Sequence, residues 1–315
     1  MGRDPRFVPE NSLQHVVDIV FQNRRLLCPS EEVNELFLGV LGRAQRLYAM
    51  KICAVVVLST HVHLLLRPRD GAHLAAFMCY LKTQVSKEIG ALRGWKGAFF
   101  DGRYHATTVS DEDLAQVAVL RYVLSHGPKE CLVDTVYDWP GVHSAKALVE
   151  GVPLIGRRRD RKAERTALDA GEDPPEMSEE EVVLSPLPCW EHLPEETRRR
   201  AVAELVEEIN RDAAVQRAES GKTSLGPERV RAVDPRQRPE SVERSPKPRV
   251  HAVAPKVLNS FLEALKEVFR AFYEASAELR AGNRNAVFPE GTFPPRLPFV
   301  PFGAVGLHGA RGRPA

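Results

Sequence analysis

Apolar residues are dense between residue 14 and about residue 151, and their spacing changes from segment to segment. The segment 14–23 (QHVVDIVFQN) and the runs 51–58 and 61–67 are rich in branched aliphatic residues, which favours strands. After Ser30 the apolar residues instead follow a 3.6-residue period, which is typical of a helix that faces a core. The predicted elements, in order, are strand 14–23, a helix after Ser30, strands 51–58 and 61–67, a helix over 74–89, strand 98–109 and a helix over 114–126.

The order β-α-β-β-α-β, followed by a further helix, predicts the split βαβ arrangement of ferredoxin-like folds. Ser59 and Thr60 join the second and third strands so closely that the two form a hairpin. Ser110 precedes the acidic residues 111–113, a combination that caps and starts the last helix. We therefore expect an α+β fold in which helices cover an antiparallel sheet.

The chain changes character after the first 155 residues, where charge runs and prolines replace the apolar pattern. The segment 157–162 (RRRDRK) favours a solvated linker over a DNA-binding surface. Regular apolar spacing returns from Leu258 to Phe272, which predicts an amphipathic helix. The predicted organisation is a first domain over 1–155, a charged linker over 156–190, a helical segment over 191–217, a disordered linker over 218–250, and an amphipathic helix with a Phe/Pro-rich tail over 251–315.

Composition narrows the protein class only slightly. The 315 residues are 43% hydrophobic and 27% charged with a formal net charge of +2, so total charge neither supports nor excludes a nucleic-acid partner. No run approaches the roughly 18 apolar residues of a membrane span, and the first residues lack the apolar core of a signal peptide. The five cysteines include no CxxC pair, which argues against a zinc finger. We expect a cytoplasmic protein with reduced thiols and no membrane partner.

Two histidines one residue apart on a predicted strand are the leading candidates for chemistry. Because strand side chains alternate between faces, His61 and His63 point the same way. Tyr122 and His126 are four residues apart on the last predicted helix and therefore share a face. Each feature alone is more often incidental or a packing residue, but together they predict three imidazoles around one divalent ion beside a phenol.

Such a site has a definite chemical use. The ion would polarise a phosphate and stabilise the charge that develops during in-line attack. The oxygen of Tyr122, whose pKa is ordinarily about 10, would then form a covalent phosphotyrosine. Tyr104 is the rival nucleophile and His105 the rival ligand, although their position on a strand next to Arg103 favours packing or phosphate binding.

Several motifs in residues 10 to 150 together resemble one family. They are His61-Val62-His63-Leu64-Leu65-Leu66-Arg67-Pro68, Leu81-Lys82, Gly102-Arg103-Tyr104, Tyr122-Val123-Leu124-Ser125-His126-Gly127-Pro128, and Asp138-Trp139-Pro140 with Ser144. This set is similar to the motifs of the HUH single-tyrosine transposases, in which two histidines flank a hydrophobic residue. The branch associated with repetitive extragenic palindromes (REP) is the most similar. His126 stands where that family usually has Asn or Gln, and His126-Gly127-Pro128 replaces its Asn-Pro.

The resemblance implies the HUH endonuclease fold and a transposase that cleaves and rejoins single-stranded, hairpin-bearing DNA. Tyr122 would form a 5′-phosphotyrosine and release a free 3′-OH, with Mg²⁺ or Mn²⁺ held by His61, His63 and His126. A third imidazole in place of an amide would favour softer ions such as Mn²⁺.

The resemblance also suggests partners and a location. Arg67, Lys82 and Arg103 are the expected phosphate contacts. A homodimer is one expectation, because relatives can act as dimers with shared sites, and a DNA-bound protein would lie at the nucleoid.

Two other functions stay open at this point. The first is a domesticated, catalytically silent relative that binds hairpin DNA, which the altered segment His126-Gly127-Pro128 favours. The second is a ferredoxin-like RNA-binding module, which is weakened by the absence of paired aromatic residues on adjacent strands.

Overall fold

The computed structural model describes residues 5–239 and 248–295. Its strands are β1 (Leu13–Ile19), β2 (Lys51–Val57), β3 (His61–Arg67), β4 (His105–Val109), β5 (Leu154–Arg158), β6 (Ser178–Val182) and β7 (Val250–His251). Its helices are α1 (Glu31–Tyr48), α2 (Gly71–Leu92), α3 (Asp113–Leu124), α4 (Ala145–Glu150), α5 (Arg161–Ala170), α6 (Glu195–Ser220), α7 (Pro227–Arg231) and α8 (Pro255–Arg280). Residues 296–315 of the predicted Phe/Pro-rich tail lie outside the described residues.

The main sheet has five strands in the order β2-β3-β1-β4-β7. The first four pair in antiparallel fashion, with β1 and β3 at the centre. This is the strand order of a ferredoxin-like fold, so the predicted α+β class is confirmed. A strand from near the C-terminus, β7, extends the sheet by pairing parallel with β4.

Alternate residues of β3 enter two different cores. Val62, Leu64 and Leu66 belong to the core that α1 and α2 cover. Leu65 belongs to the second core, which contains residues of α3 and α6. Because the side-chain period of a strand is two, His61 and His63 share the face of Leu65 and look toward α3.

Two predicted strands are shorter in the structure, for conformational reasons. The strand predicted over 14–23 ends at Ile19, because Gln22 and Asn23 adopt left-handed conformations with φ of 56° and 53°. The strand predicted over 98–109 is regular only from His105, because Gly102 turns the chain with φ of 70°.

The start of α3 also differs from the prediction, in which Ser110 capped the helix. Helix α3 begins at Asp113, with Glu112 at the N-cap position and no side-chain cap bond. The Ser110 hydroxyl donates to Oε2 of Glu112 at 2.7 Å instead of capping the helix.

The segment predicted as a charged linker, 156–190, contains regular structure. Its strands β5 and β6 pair in antiparallel fashion, and the pair packs on α1. The contact requires glycine at positions 39 and 156. A Cβ built on Gly39 would lie 2.2 Å from the carbonyl oxygen of Arg157, and a Cβ built on Gly156 would lie 2.2 Å from the amide nitrogen of Gly39. The segment was predicted to be a linker because its many charged side chains lie on the outer surface, and composition gives no sign of a contact between backbones.

A buried carboxylate strengthens the same contact. Glu180 on β6 is 5% exposed and accepts from Nη2 of Arg46 on α1 at 2.8 Å. Nε of Arg158 on β5 lies 3.7 Å from the same carboxylate. The two cations compensate a charge that burial alone would make costly.

The remaining C-terminal segments also contain more regular structure than predicted. The helical segment predicted over 191–217 appears as α6, and the linker predicted over 218–250 contains α7 and the first residue of β7. The predicted amphipathic helix appears as α8. Within the described ranges, no helix is long and apolar enough to cross a membrane.

A pair of helical glycines provides a test of the packing on α1. Gly39→Ala should lower the free energy of unfolding by about 1–3 kcal/mol, because the new methyl group meets backbone atoms that cannot rotate away. Gly90→Ala on α2 should instead raise it by about 0.5–1 kcal/mol, because the nearest atom outside the local chain is an ordinary 3.7 Å contact and alanine favours helix. Chemical denaturation of both variants measures the difference, and equal effects would contradict the close approach.

Candidate metal and tyrosine site

The pairing of β1 with β3 sets the positions of His15 and His63. In the β1–β3 register, His63 lies opposite Val17 and His15 lies opposite Leu65. His15 and His63 are therefore diagonal neighbours on one face, within reach of each other's rings. Their ring nitrogens, Nε2 of His15 and Nδ1 of His63, are 3.0 Å apart.

His126 reaches the same place from a turn and not from a helix. Helix α3 ends at Leu124, and Gly127 then adopts φ of 102° immediately before Pro128. This Gly-Pro pair ends the helix, so the helix predicted over 114–126 stops two residues early and His126 lies outside it. Their rings nevertheless lie with centroids 5.0 Å apart, and the ring of His126 stacks on that of His63 at 3.9 Å.

The three predicted ligands form a compact cluster. One ligand atom from each of His61, His63 and His126 lies within 4.8 Å of the others. Nε2 of His63 and Nε2 of His126 are buried and have no hydrogen-bond partner. Buried polar atoms are normally paired, so these two nitrogens fit the requirement of a shared divalent ion.

Each Nδ1 of the cluster already has a partner. Nδ1 of His61 lies 2.8 Å from the hydroxyl of Thr60, and Nδ1 of His126 lies 2.8 Å from Oε1 of Glu130. Nδ1 of His63 faces His15. Such partners fix the ring orientation and leave Nε2 as the ligating atom, as is usual for histidines that bind metals.

Burial keeps the three imidazoles neutral, which is the form that ligates metals. Desolvation is the main cause that lowers the pKa of His61 to about 4. Desolvation likewise lowers the pKa of His63 and of His126, although Glu130 offsets part of the shift at His126. Burial works to raise the pKa of Glu130, but the hydrogen bond from His126 and the charge of Lys129 contribute to a net lowering, so Glu130 is ionised at neutral pH.

Tyr122 stands at the open side of this cluster. It is 45% exposed, and the rings of His15, His63 and His126 all meet it edge-on. Nζ of Lys129 lies 3.7 Å from the centre of its ring. Desolvation, followed by the charge of Glu130, raises the pKa of the phenol, so deprotonation needs a nearby cation.

The rival residues have different surroundings. Tyr104 is 8% exposed and lies under the guanidinium of Arg6, whose Cζ is 3.7 Å from the ring centre. His105 is the first residue of β4. His61, His63 and His126 have the spacing of a metal site. Within the described part of the chain, no other group of three or more His, Cys, Asp or Glu residues has it.

The three predicted phosphate contacts differ in their partners. Arg67 donates to Glu191 at 2.8 Å and to the carbonyl of Asn11 at 3.0 Å. Lys82 lies on α2, on the sheet face away from the histidines, and its Nζ is 2.6 Å from Oδ1 of the buried Asp18. Arg103 lines a cavity that borders the histidine face of the sheet. Arg67, Lys82 and Arg103 stay predicted DNA contacts.

The segment with Asp138, Trp139 and Ser144 supports the site from the edge of the sheet. The indole of Trp139 donates to the carbonyl of Val57 at 3.1 Å, and the hydroxyl of Ser144 accepts from the amide of Val55 at 3.1 Å. Asp138 forms a capping box with Thr135. These bonds cover the outer edge of β2, which would otherwise expose unpaired backbone groups.

Four residues near the cluster were not predicted: His15, Lys129, Glu130 and His251. His15 carried a usable signal, because β1 and β3 are neighbours in a ferredoxin-like sheet. Glu130 follows His126 by four residues, but that spacing is common. His251 carried no signal, since β7 could not be predicted from two residues.

One protein family and two solved structures are similar to parts of this chain. The family model for "Transposase IS200 like" proteins matches residues 11–126. Among solved structures, the REP-associated tyrosine transposase bound to a REP hairpin is similar with a TM-score of 0.41 and 16% identity, over 48% of this chain and 88% of that one. A putative transposase from Deinococcus radiodurans R1 is similar with a TM-score of 0.28 and 20% identity, over 38% of this chain and 95% of that one. No curated protein sequence matches.

The matched segment, residues 11–126, contains the strand with both histidines, Tyr122 and His126, and this part of the chain is similar to the IS200-like transposases. The family uses divalent metals, and the histidine cluster of this chain is consistent with that use.

The ion pair of Lys82 can be tested against its predicted DNA contact. Desolvation raises the pKa of Asp18 to about 6, and Lys82 opposes that shift. Lys82→Met should therefore lower the free energy of unfolding by about 3 kcal/mol at pH 8, because an uncompensated carboxylate stays buried. The loss should be smaller at pH 5, below the folded pKa, where Asp18 is mostly protonated.

The matched control is the double variant Asp18→Asn/Lys82→Met, which leaves no charge behind and should recover much of the lost stability. Urea unfolding at both pH values makes the comparison. Unchanged stability of Lys82→Met, together with weaker DNA binding, would mean that the lysine serves DNA and not Asp18.

Proposed function

We propose that this protein is a metal-dependent transposase and nickase that cleaves and rejoins single-stranded, hairpin-bearing DNA, with Tyr122 as the nucleophile. The observation that carries the proposal is the convergence of His61, His63 and His126 beside Tyr122, with two buried Nε2 atoms that accept or donate no hydrogen bond among the described residues. The family match of residues 11–126 supports the same activity.

The residues divide the chemistry among them. Oη of Tyr122 attacks the scissile phosphorus, a P–O bond to the tyrosine forms and the bond to the 3′ oxygen breaks. The products are a 5′-phosphotyrosine and, once the departing oxygen takes up a proton, a free 3′-OH, which can later attack the phosphotyrosine and reverse the step. Mg²⁺ or Mn²⁺ held by His61, His63 and His126 would polarise the phosphate when bound.

Lys129 contributes a further positive charge at the nucleophile. Its ammonium lies over the ring of Tyr122 and within 3.5 Å of Glu130. A cation at this distance stabilises the phenolate and the negative charge of a phosphate in attack. Such a charge is needed there because desolvation and the charge of Glu130 both raise the pKa of the phenol.

A basic cavity beside the histidines is the proposed path of the DNA strand. It has a volume of about 570 Å³ and is lined by three arginines, Arg6, Arg103 and Arg249, together with aromatic residues. Val17 and Ile19 also line it, and these residues lie opposite His63 and His61 in the sheet. Arginines with interleaved aromatic rings suit a single strand, because they bind phosphates and stack on bases.

The nucleophile can be identified by a covalent adduct. Full-length protein with Mn²⁺ or Mg²⁺ should convert hairpin-bearing single strands with randomised flanks, labelled at the 3′ end, into a protein-linked species on a denaturing gel. Tyr122→Phe should abolish this species because, among the tyrosines that the structure describes, only the ring of Tyr122 contacts His63 and His126. Tyr104→Phe is the matched control and should retain it.

The other outcomes of this experiment are equally informative. Binding of the hairpin without an adduct in the unmodified protein would support the catalytically silent relative. An adduct that persists in Tyr122→Phe and disappears in Tyr104→Phe would move the nucleophile to Tyr104.

The strand path can be tested by its salt dependence. Arg103→Ala should weaken binding of single-stranded DNA and reduce the slope of log K against log salt by about 0.7, the value for one lost phosphate contact. Arg165→Ala is the control, because Arg165 is 86% exposed on α5, a helix tied to α2 on the opposite side of the sheet. An unchanged slope for Arg103→Ala would contradict the proposed path.

A further inference from the structure

Three histidines from distant parts of the chain form a continuous line that ends at the metal cluster. Nε2 of His251 lies 3.2 Å from Nδ1 of His15, and Nε2 of His15 lies 3.0 Å from Nδ1 of His63. The rings of His15 and His63 are nearly parallel, with centroids 5.3 Å apart. His251 lies 125 positions beyond His126, where the transposase family match ends.

The sheet fixes the first histidine of this line. His251 is the second residue of β7 and lies opposite Val109 of β4. The intervening strand presents only Thr107 opposite His15, which leaves room for the imidazole of His251 to reach across. His251 and His15 therefore meet over a small side chain.

The N-terminus of α3 holds β7 in place. The carbonyl of His251 accepts from the amide of Ser110 at 2.9 Å. The carboxylate of Glu112 accepts from the amides of Val253 at 3.0 Å and Ala254 at 2.9 Å. The position of His251 is thus set by a hydrogen bond to its own carbonyl and by two more to residues that follow it.

If Nε2 of His63 carries no proton and is available to bind an ion, the donor and acceptor of both histidine–histidine hydrogen bonds are determined. Nδ1–H of His63 then donates to Nε2 of His15, which in turn requires a proton on Nδ1 of His15. That proton is donated to Nε2 of His251. Each imidazole therefore selects the tautomer of the next, and the line ends with a lone pair on His63 that faces His61 and His126.

We propose that His15 and His251 are positioning residues that hold His63 in the ligating tautomer and orientation, so that the C-terminal segment completes the metal centre. The proposal rests on the proposed function, since it assumes an ion at His61, His63 and His126. Outer partners of this type typically contribute about 10–100-fold to metal affinity. The hydrogen-bond partners of His126 and His63 then differ. Nδ1 of His126 is bonded to the carboxylate of Glu130, whereas Nδ1 of His63 is bonded to the imidazole of His15.

Direct Mn²⁺ binding to the full-length protein, measured by electron paramagnetic resonance without DNA, tests the proposal independently of activity. His15→Ala and His251→Ala should each weaken Mn²⁺ binding by about 10-fold or more. His251→Gln should retain most of the affinity, because its amide oxygen can accept from Nδ1–H of His15. His192→Ala, an exposed histidine outside this line, is the control for adventitious binding and should have no effect.

A second readout follows the tautomer itself. In metal-free protein, ¹⁵N NMR of the imidazoles should find His63 as the Nδ1–H tautomer. In His251→Ala the signals of His15 and His63 should show mixed tautomers.

The results separate failure of this inference from failure of the proposed function. His126→Ala should greatly reduce Mn²⁺ binding, and if it does while His251→Ala does not, the positioning role is wrong and the metal site stands. If His251→Gln loses as much affinity as His251→Ala, His251 acts by strand packing and the positioning role is again wrong. If even His126→Ala has no effect, the proposed metal site itself fails.

Discussion

The antiparallel register between β1 and β3 is the constraint on which the rest of the molecule depends. It places His61 and His63 on the face toward α3 and sets His15 diagonally beside His63. A slip of one residue would turn both β3 histidines into the core beneath α1 and α2 and move Leu64 out of it. The apolar pattern that stabilises the fold therefore also determines which nitrogens can meet.

Desolvation has two opposite effects in the candidate site. It keeps the imidazoles neutral and able to ligate, but it also raises the pKa of the phenol that would attack. A nearby cation is needed to stabilise the phenolate, and Lys129 lies against the ring of Tyr122. The surrounding polar groups are arranged so that each Nδ1 has a partner, while the Nε2 atoms of His63 and His126 have none.

Much of the fold and part of the candidate site could be predicted because short-range periodicity encodes them. The alternation in 61–67 correctly predicted the shared face of His61 and His63, and the element order predicted the ferredoxin-like sheet. The sequence alone could not predict contacts that depend on backbone approach, such as that of β5 on α1, because a glycine has no side chain to signal them. The roles of Tyr122 and of the three metal ligands stay predictions that await the experiments above.

The turn after α3 and the late strand β7 illustrate the other limit. His126 follows an apolar helix without a break in pattern, and only Gly127 and Pro128 indicate that the helix has ended before it. A two-residue strand such as β7 has no periodicity at all, so its partner β4 is evident only in three dimensions.

The position of β7 in the chain has a consequence for the order of synthesis. The first four strands of the main sheet are complete at residue 109, whereas the fifth is added by residues 250–251. A ribosome must therefore translate about 140 further residues before Glu112 can bind the start of α8 and His15 can gain its outer partner. Domains fold as they emerge, so a nascent protein carries a folded sheet with an unfinished line of histidines while residues 110–250 are translated.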